Sequence, residues 1–481
     1  MSPEQPASAL RRHRRRVRRL AGQALNAWRL ARSGIVDLDY CQAQTGTRFR
    51  NKFAAAWHYV AAPHDVTFSP HPLFEPAFLG SRRPRGTRAV LGYLAQEQLY
   101  GSVSPHPIFS LAAADHNLRR SGAKLDGGAW LAWVRTANDA TTVPVQPPFA
   151  PISWGELRAT LVQSANDWRT GRADLARHSG LASARPRTAG LDSVIIPIVG
   201  AADSALRELA LLDDGHAQEL VCLVRTRSLY SCLTVAARTR PSLRVGRSVG
   251  TVAGDWSSGA AASAGDHLVF VAPGFRLGRG AVKTLTEVLK DHSVALAQPL
   301  NERPDMTIHS AGAYFAPGSV EPSPLLSGFP TSDAERIGLS SISAVYSGVV
   351  AVRRDAYFSL GGFDKRFAND LADVDLSLRA TETGAGRVLL VPDARVTQPK
   401  KPTAAFPSDV AASVHLLSQK HTAPTVDSAS SLSLIGLRWP GINRFRSREE
   451  PRGRSCRCRS SPGREPGLRP CRASAGPSTH R

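Results

Sequence analysis

Residues 347–379 read SGVVAVRRDAYFSLGGFDKRFANDLADVDLSLR, and the rest of the chain is ordered around them. An apolar run, Gly348-Val349-Val350-Ala351-Val352, is followed by a turn, Gly361-Gly362-Phe363-Asp364. An acidic cluster, Asp373-Val374-Asp375-Leu376, comes next, and Arg379 ends the stretch. On spacing alone Asp373 and Asp375 are helix N-terminal residues. Carboxylates are favoured there because they meet free backbone N–H groups and the positive end of the helix dipole.

Upstream, Ser193-Val194-Ile195-Ile196-Pro197-Ile198-Val199 is short, β-branched and apolar on both faces, the pattern of a buried parallel strand. Asp203 or Ser204 can cap a following helix with Leu206, Leu209 and Leu212 on its inner face. Leu220 to Val224 predicts a second strand, and His267 to Val271 another, ended by Pro273-Gly274. Strands alternating with helices predict an α/β fold built from βαβ units. In such sheets ligands sit at the carboxyl ends of the strands.

These segments together resemble the catalytic domain of family 2 glycosyltransferases. The Gly-Gly-Phe-Asp turn, the acidic cluster and the terminal arginine carry the most specific part of the likeness. Ser193–Pro197 is similar to that family's opening strand, with its terminal proline. Gly259–Gly265 is similar to the glycine-alanine helix before the central strand, and Val388–Pro392 to the last strand. The resemblance covers about residues 190–400. It implies a Rossmann-like GT-A fold with a mixed central sheet. It also implies inverting transfer of a sugar from a nucleotide-diphosphate donor to a glycan or glycolipid acceptor, here assigned to the cell envelope. Carried over by position, Asp373 is the base that takes the acceptor's proton. Asp375 begins the helix and orients the site, while Asp364 and the Gly361-Gly362 turn shape the acceptor side. Pro197, Gly348 and Arg379 complete the expected substrate-binding set.

The chain departs from that pattern in three places. Its second strand ends Leu223-Val224-Arg225, where the resemblance implies an aspartate contacting the nucleoside. Its central strand ends Ala272-Pro273-Gly274, where an Asp-x-Asp motif would hold Mg²⁺ or Mn²⁺. Such hard cations need oxygen ligands. Gln398 stands where a histidine ligand would follow the last strand. Two expectations stay open. Arg276, Arg279 or Lys283 supplies positive charge in place of a metal, or the domain keeps the fold without turnover and binds a glycan, a nucleotide or a partner enzyme.

Of the chain's net charge of +22, 16 are placed at its two ends, +8 at each. Residues 1–33 hold nine arginines and one acid, and residues 444–481 eleven arginines and three acids. Basicity therefore belongs to the arms, and a nucleic-acid partner is not expected. Residues 10–32 read as a basic amphipathic helix with Val17, Leu20, Ala21, Ala24, Trp28 and Ala31 at helical spacing. It is read either as a foot on an anionic membrane surface or as a helix packed on the body of the protein. No run is long and apolar enough to span a membrane, so a cytoplasmic protein is expected, peripheral on the inner face if that helix docks. Within the expected 34–125 module, Ser69-Pro70-His71-Pro72-Leu73-Phe74 returns as Ser104-Pro105-His106-Pro107-Ile108-Phe109, and a degenerate copy starts near Val36. The prolines and histidines read as turn punctuation in a small helical repeat, of the kind found ahead of bacterial glycosyltransferase domains. Residues 126–188 predict a helical linker with helices near 154–170 and 173–183, ahead of a 189–402 catalytic-type domain and a 403–443 extension. The 444–481 tail has almost no apolar residues and is expected to be disordered, either a shifted reading frame or a basic tail. The six cysteines form no CxxC pair, so neither a zinc site nor a disulfide framework is expected.

Overall fold

The chain is described by a computed structural model covering residues 5–62, 68–76, 78–79, 89–95, 103–125, 127–175, 186–200, 206, 218–346, 348–397 and 406–423. Met1–Ile435 form one compact unit and Gly436–Arg481 a second, and the second lies wholly outside the described residues, as do Ser347, Gln398 and most of the segments expected to be helical near 206–212 and 173–183.

Twelve strands occur among the described residues: β1 (Asp192–Ile198), β2 (Gln218–Val224), β3 (Leu243–Arg247), β4 (His267–Val271), β5 (Arg276–Leu277), β6 (Val294–Glu302), β7 (Ile308–Ser310), β8 (Ala313–Phe315), β9 (Pro322–Pro324), β10 (Ser340–Ser341), β11 (Val349–Arg353) and β12 (Arg387–Thr397). Ten of them form one sheet in the order β10-β12-β6-β11-β4-β1-β2-β3, with β5 beside β12 and β7 beside β6. The strands β1 to β4 run parallel. β11 enters antiparallel between β4 and β6, and β12 runs parallel to β6. The expected α/β architecture with a mixed central sheet is therefore the observed one. The apolar run of β1 is buried along its whole length, as a central strand covered on both faces requires.

The register opens a gap at the carboxyl edge. β1 stays paired with β2 as far as Ile198 and Val224, but it leaves β4 after Ile195 and Phe270. Pro197, which has no N–H, lies in the stretch where β1 pairs with β2 alone. This is also where the strand order reverses, the place at which open α/β sheets leave a crevice.

The helices that matter to the edge follow from local sequence. Thr226 caps α8 (Arg227–Ala237) and Thr251 caps α9 (Val252–Ala262), each hydroxyl accepting from a backbone N–H of the first turn. α9 lies tight on the sheet because Gly259 has no side chain: a Cβ there would stand 2.3 Å from Ile195 Cγ2. α10 (Ala281–Val288), α11 (Thr331–Ile337), α12 (Arg354–Ser359), α13 (Ala372–Glu382) and α14 (Val410–Lys420) complete this half.

The preceding half holds α1 (Gln5–Arg32), α2 (Leu38–Thr45), α3 (Lys52–Ala61), α4 (Ala89–Ala95), α5 (Leu111–Arg120), α6 (Ala129–Thr136) and α7 (Trp154–Thr170). Its two Ser-Pro-His-Pro turns are built alike. Nδ1 of His71 accepts from Leu73 N–H at 3.1 Å, and Nδ1 of His106 from Ile108 N–H at 3.2 Å. Burial lowers the two imidazoles to about 4 and about 3, so both are neutral turn caps. The carbonyl ahead of each histidine accepts from an earlier segment: Pro70 from Asp37 N–H at 3.0 Å and Pro105 from Glu75 N–H at 2.9 Å. Trp130, fully buried, packs against His71, Phe74 and Tyr93. α7 ties this half to the sheet. Arg158 bridges Asp37 and Asp39, and Ser164 Oγ meets Ser231 Oγ of α8 at 2.8 Å.

Candidate functional site

The turn and helix of residues 361–379 are assembled at the carboxyl edge by aromatic packing. Phe363 stands edge-on to Phe270 of β4, with ring centroids 4.7 Å apart, and also packs on Trp256 of α9 and Tyr357 of α12. The two glycines before it both adopt positive φ, at +79° and +72°. At Gly362 a Cβ would also press on the Tyr357 hydroxyl at 3.0 Å, so the turn needs glycine there.

Behind the turn, α13 is anchored at its start. Asn369 Oδ1 accepts from Val252 N–H at 2.9 Å and the Ala368 carbonyl from Ala253 N–H at 2.8 Å, which sets the loop on the first turn of α9. Ser377 Oγ accepts from Val345 N–H at 3.2 Å and holds α13 against the approach to β11. Asp373 thus lies buried in the first turn of α13, with its Oδ1 accepting from Val374 N–H at 3.0 Å.

Asp364, Asp375 and Arg379 are brought together, and with them two residues that sequence reasoning did not find. Asp375 is fully buried. It accepts from Arg379 Nη2 at 2.7 Å, from Lys420 Nζ at 2.5 Å and from His421 Nε2 at 3.0 Å. Lys420 also reaches Asp364 at 2.8 Å, and Asp364 accepts from Arg366 Nη2 at 2.6 Å. Arg379 donates in addition to the carbonyls of Leu360 and Gly362, so it holds the glycine turn as well as Asp375. Burial by itself would raise the Asp375 carboxyl, but the bonds from His421 and Lys420 and the charge of Arg379 outweigh it and hold it below the ordinary value. Asp364 is held far lower, first by Arg366. His421 gives its other ring nitrogen to Glu382 at 2.8 Å. Burial opposes its charge, yet Asp375 and Glu382 raise it above the ordinary histidine value.

Lys420 and His421 belong to a strap, residues 406–423, seated on the same edge. Asn369 Nδ2 donates to the Pro407 carbonyl at 2.8 Å, while Asp370 accepts from Ser408 Oγ and Asp409 N–H. The Arg225 guanidinium lies over the Phe406 ring at 5.0 Å. Arg225 follows β2, at the position where the sequence lacks the expected aspartate. Nearby, Asp255 is fully buried on α9 and accepts from Ser248 Oγ and Val249 N–H, each at 2.7 Å. Burial pushes its carboxyl up to about 6. Its only signal in the sequence is an acid in the first turn after Thr251.

At the end of β4 the edge carries Ala272, Pro273 and Gly274, none with a side-chain oxygen. Among the described residues no three His, Cys, Asp or Glu side chains stand close enough together to hold a metal ion. These residues do not fit Mg²⁺ or Mn²⁺. Gly348 follows the edge of β4, its carbonyl accepting from Ala272 N–H, and it lies against Phe275: a Cβ would stand 2.4 Å from that ring. Arg276 sits on β5 opposite Thr397, exposed, and Arg279 and Lys283 are exposed around the start of α10.

No family model matches the chain, and no curated protein matches it. Among solved structures it is similar to one described as the crystal structure of GalNAc-T7 with UDP, GalNAc and Mn²⁺, at 15% identity and a TM-score of 0.40, over 53% of each chain. The chain spans about half the length of that protein.

Proposed function

We propose that the protein transfers a sugar from a nucleotide-diphosphate donor to a hydroxyl of a cell-envelope glycan or glycolipid, with inversion, and that Asp373 is its base. The observation that carries this reading is the place of Asp373, buried in the first turn of α13 with its Oδ1 accepting from Val374 N–H, two residues ahead of the Asp375 that Lys420, Arg379 and His421 hold. In the step, the acceptor oxygen attacks the anomeric carbon opposite the diphosphate. The bond from that carbon to the diphosphate oxygen breaks, and the hydroxyl proton passes to Asp373. Arg225, Arg276, Arg279 and Lys283 are the cations we assign to the donor's negative charge. Pro197 and Gly348 border the donor, and Gly361, Gly362 and Asp364 the acceptor.

A second reading, a non-catalytic glycan- or nucleotide-binding protein, is favoured by the side chains at the end of β4. Calorimetric titration with UDP-, GDP- and dTDP-sugars, with and without Mn²⁺, separates the two. Micromolar binding of one donor, with turnover lost in Asp373→Asn, supports the enzyme. A folded protein that binds no donor supports the second reading.

A further inference from the structure

Of the two expectations for the N-terminal basic helix, packing on the protein is seen on one face of α1, and another face stays exposed. Ala27 and Leu30 are fully buried, and α1 packs against α3. Val17, Leu20, Leu25 and Trp28 remain 51%, 44%, 49% and 49% exposed. They are four of the nine exposed large apolar side chains among the described residues, so nearly half of that surface is gathered on one helix. Positions 17, 20, 21, 24 and 28 follow helical spacing, which places Val17, Leu20 and Trp28 along one stripe with the small Ala21 and Ala24 between them. Packing on the body leaves that stripe uncovered.

Its borders are cationic. Arg18, Arg19, Arg29 and Arg32 are exposed on the same helix, and the Arg32 guanidinium lies 4.8 Å from the centre of the Trp28 ring. The helix has no acid in its first turn. An apolar stripe tipped with a tryptophan and edged by arginines matches a surface that is apolar at depth and anionic at its face. A bilayer of acidic lipids has that chemistry. A nucleic acid would satisfy the arginines but offer little to Leu20 and Leu25. We propose that α1 docks the protein on an anionic lipid surface, with Val17, Leu20, Leu25 and Trp28 in the acyl boundary and the arginines among the headgroups. This goes beyond the transfer reaction and stands whether or not the protein turns over a sugar.

The test uses the full chain and vesicles of phosphatidylglycerol with phosphatidylcholine, or phosphatidylcholine alone, in a sedimentation assay. The variant L20S/L25S/W28S keeps every charge and changes only exposed side chains. The wild type should bind the anionic vesicles and hold on in raised salt, while the variant binds about tenfold or more weakly at that salt. Brominated acyl chains should quench a fluorescence component present in the wild type and missing in Trp28→Phe. Equal salt-resistant binding by the serine variant, or no Trp28-dependent quenching, overturns the proposal. So does binding that vanishes wholly in salt, or that is directed to RNA and not to vesicles, since either is charge attraction alone.

Discussion

Lys420 Nζ lies 2.5 Å from Asp375 and 2.8 Å from Asp364, so one ammonium from the end of α14 joins the acid of the glycine turn to the acid of α13. Asp375 is fully buried, and a buried carboxylate that loses a cation is left with desolvation it cannot recover from water. Lys420→Met should lower stability by about 2–3 kcal/mol in urea denaturation, with Arg379 and His421 still in place. Lys420→Arg should restore part of it. An unchanged urea midpoint in Lys420→Met would show that the strap does not secure the turn.

The strap should also respond to pH. His421 has its folded value raised above 6.5, so its contribution is fully present below that value and is lost as pH rises through the raised one. Asp375 is depressed, so its contribution is present above 3.8 and is lost as pH falls through its folded value. The network is therefore strongest between pH 3.8 and 6.5 and weakens as pH rises through the raised His421 value. Thermal unfolding between pH 5 and 9 should show a decline above neutrality that His421→Gln flattens. A decline of the same size in both proteins would assign it to another group.

Close packing of α9 on β1 gives a third expectation. Gly259→Ala places a methyl group 2.3 Å from Ile195 Cγ2 inside the sheet-helix layer. Overpacking of this kind costs about 1–3 kcal/mol. Chemical denaturation should show that loss, and the loss should shrink when Gly259→Ala is introduced into Ile195→Ala, which lacks Cγ2. No rescue by the smaller partner would place the strain elsewhere.

Much of this frame was legible in the sequence, for physical reasons. β1, β2 and β4 are buried on both faces, so they are written as continuous apolar runs, and Gly259 marks the close helix before β4. The strand β6 was not legible. Its residues Gln298, Asn301 and Glu302 are buried polar groups, and Pro299 interrupts the run, so its pattern is not that of a core strand. At the site, the turn and the acidic cluster were readable because their spacing is local. The roles of Asp364, Asp375 and Arg379 depend on Lys420, which is 45 residues from Asp375, and on His421. No periodicity announces a contact of that range. Nor could spacing show which face of α1 packs, because its buried pair, Ala27 and Leu30, is smaller and less conspicuous than the stripe that stays outside.

The first turn of α13 gives the prediction closest to chemistry. If Asp373 takes the proton from the acceptor hydroxyl, Asp373→Asn removes that step and leaves Lys420, Arg379 and His421 on Asp375. Turnover should then fall by about 10²–10⁴-fold while donor affinity stays within about threefold. Asp375→Asn should behave differently. It leaves Lys420, Arg379 and His421 around a neutral amide, and its first effect should be lost stability of about 3 kcal/mol or more. Donor binding by both variants should be insensitive to EDTA, and the combined change of Arg276, Arg279 and Lys283 to alanine should weaken it. Measured together by calorimetry and a steady-state transfer assay, these variants separate a base from a positioning acid. If Asp373→Asn keeps full turnover, Asp373 is an ordinary residue of a helix N-terminus. If the triple alanine variant binds donor as the wild type does, the diphosphate is held by groups other than those three.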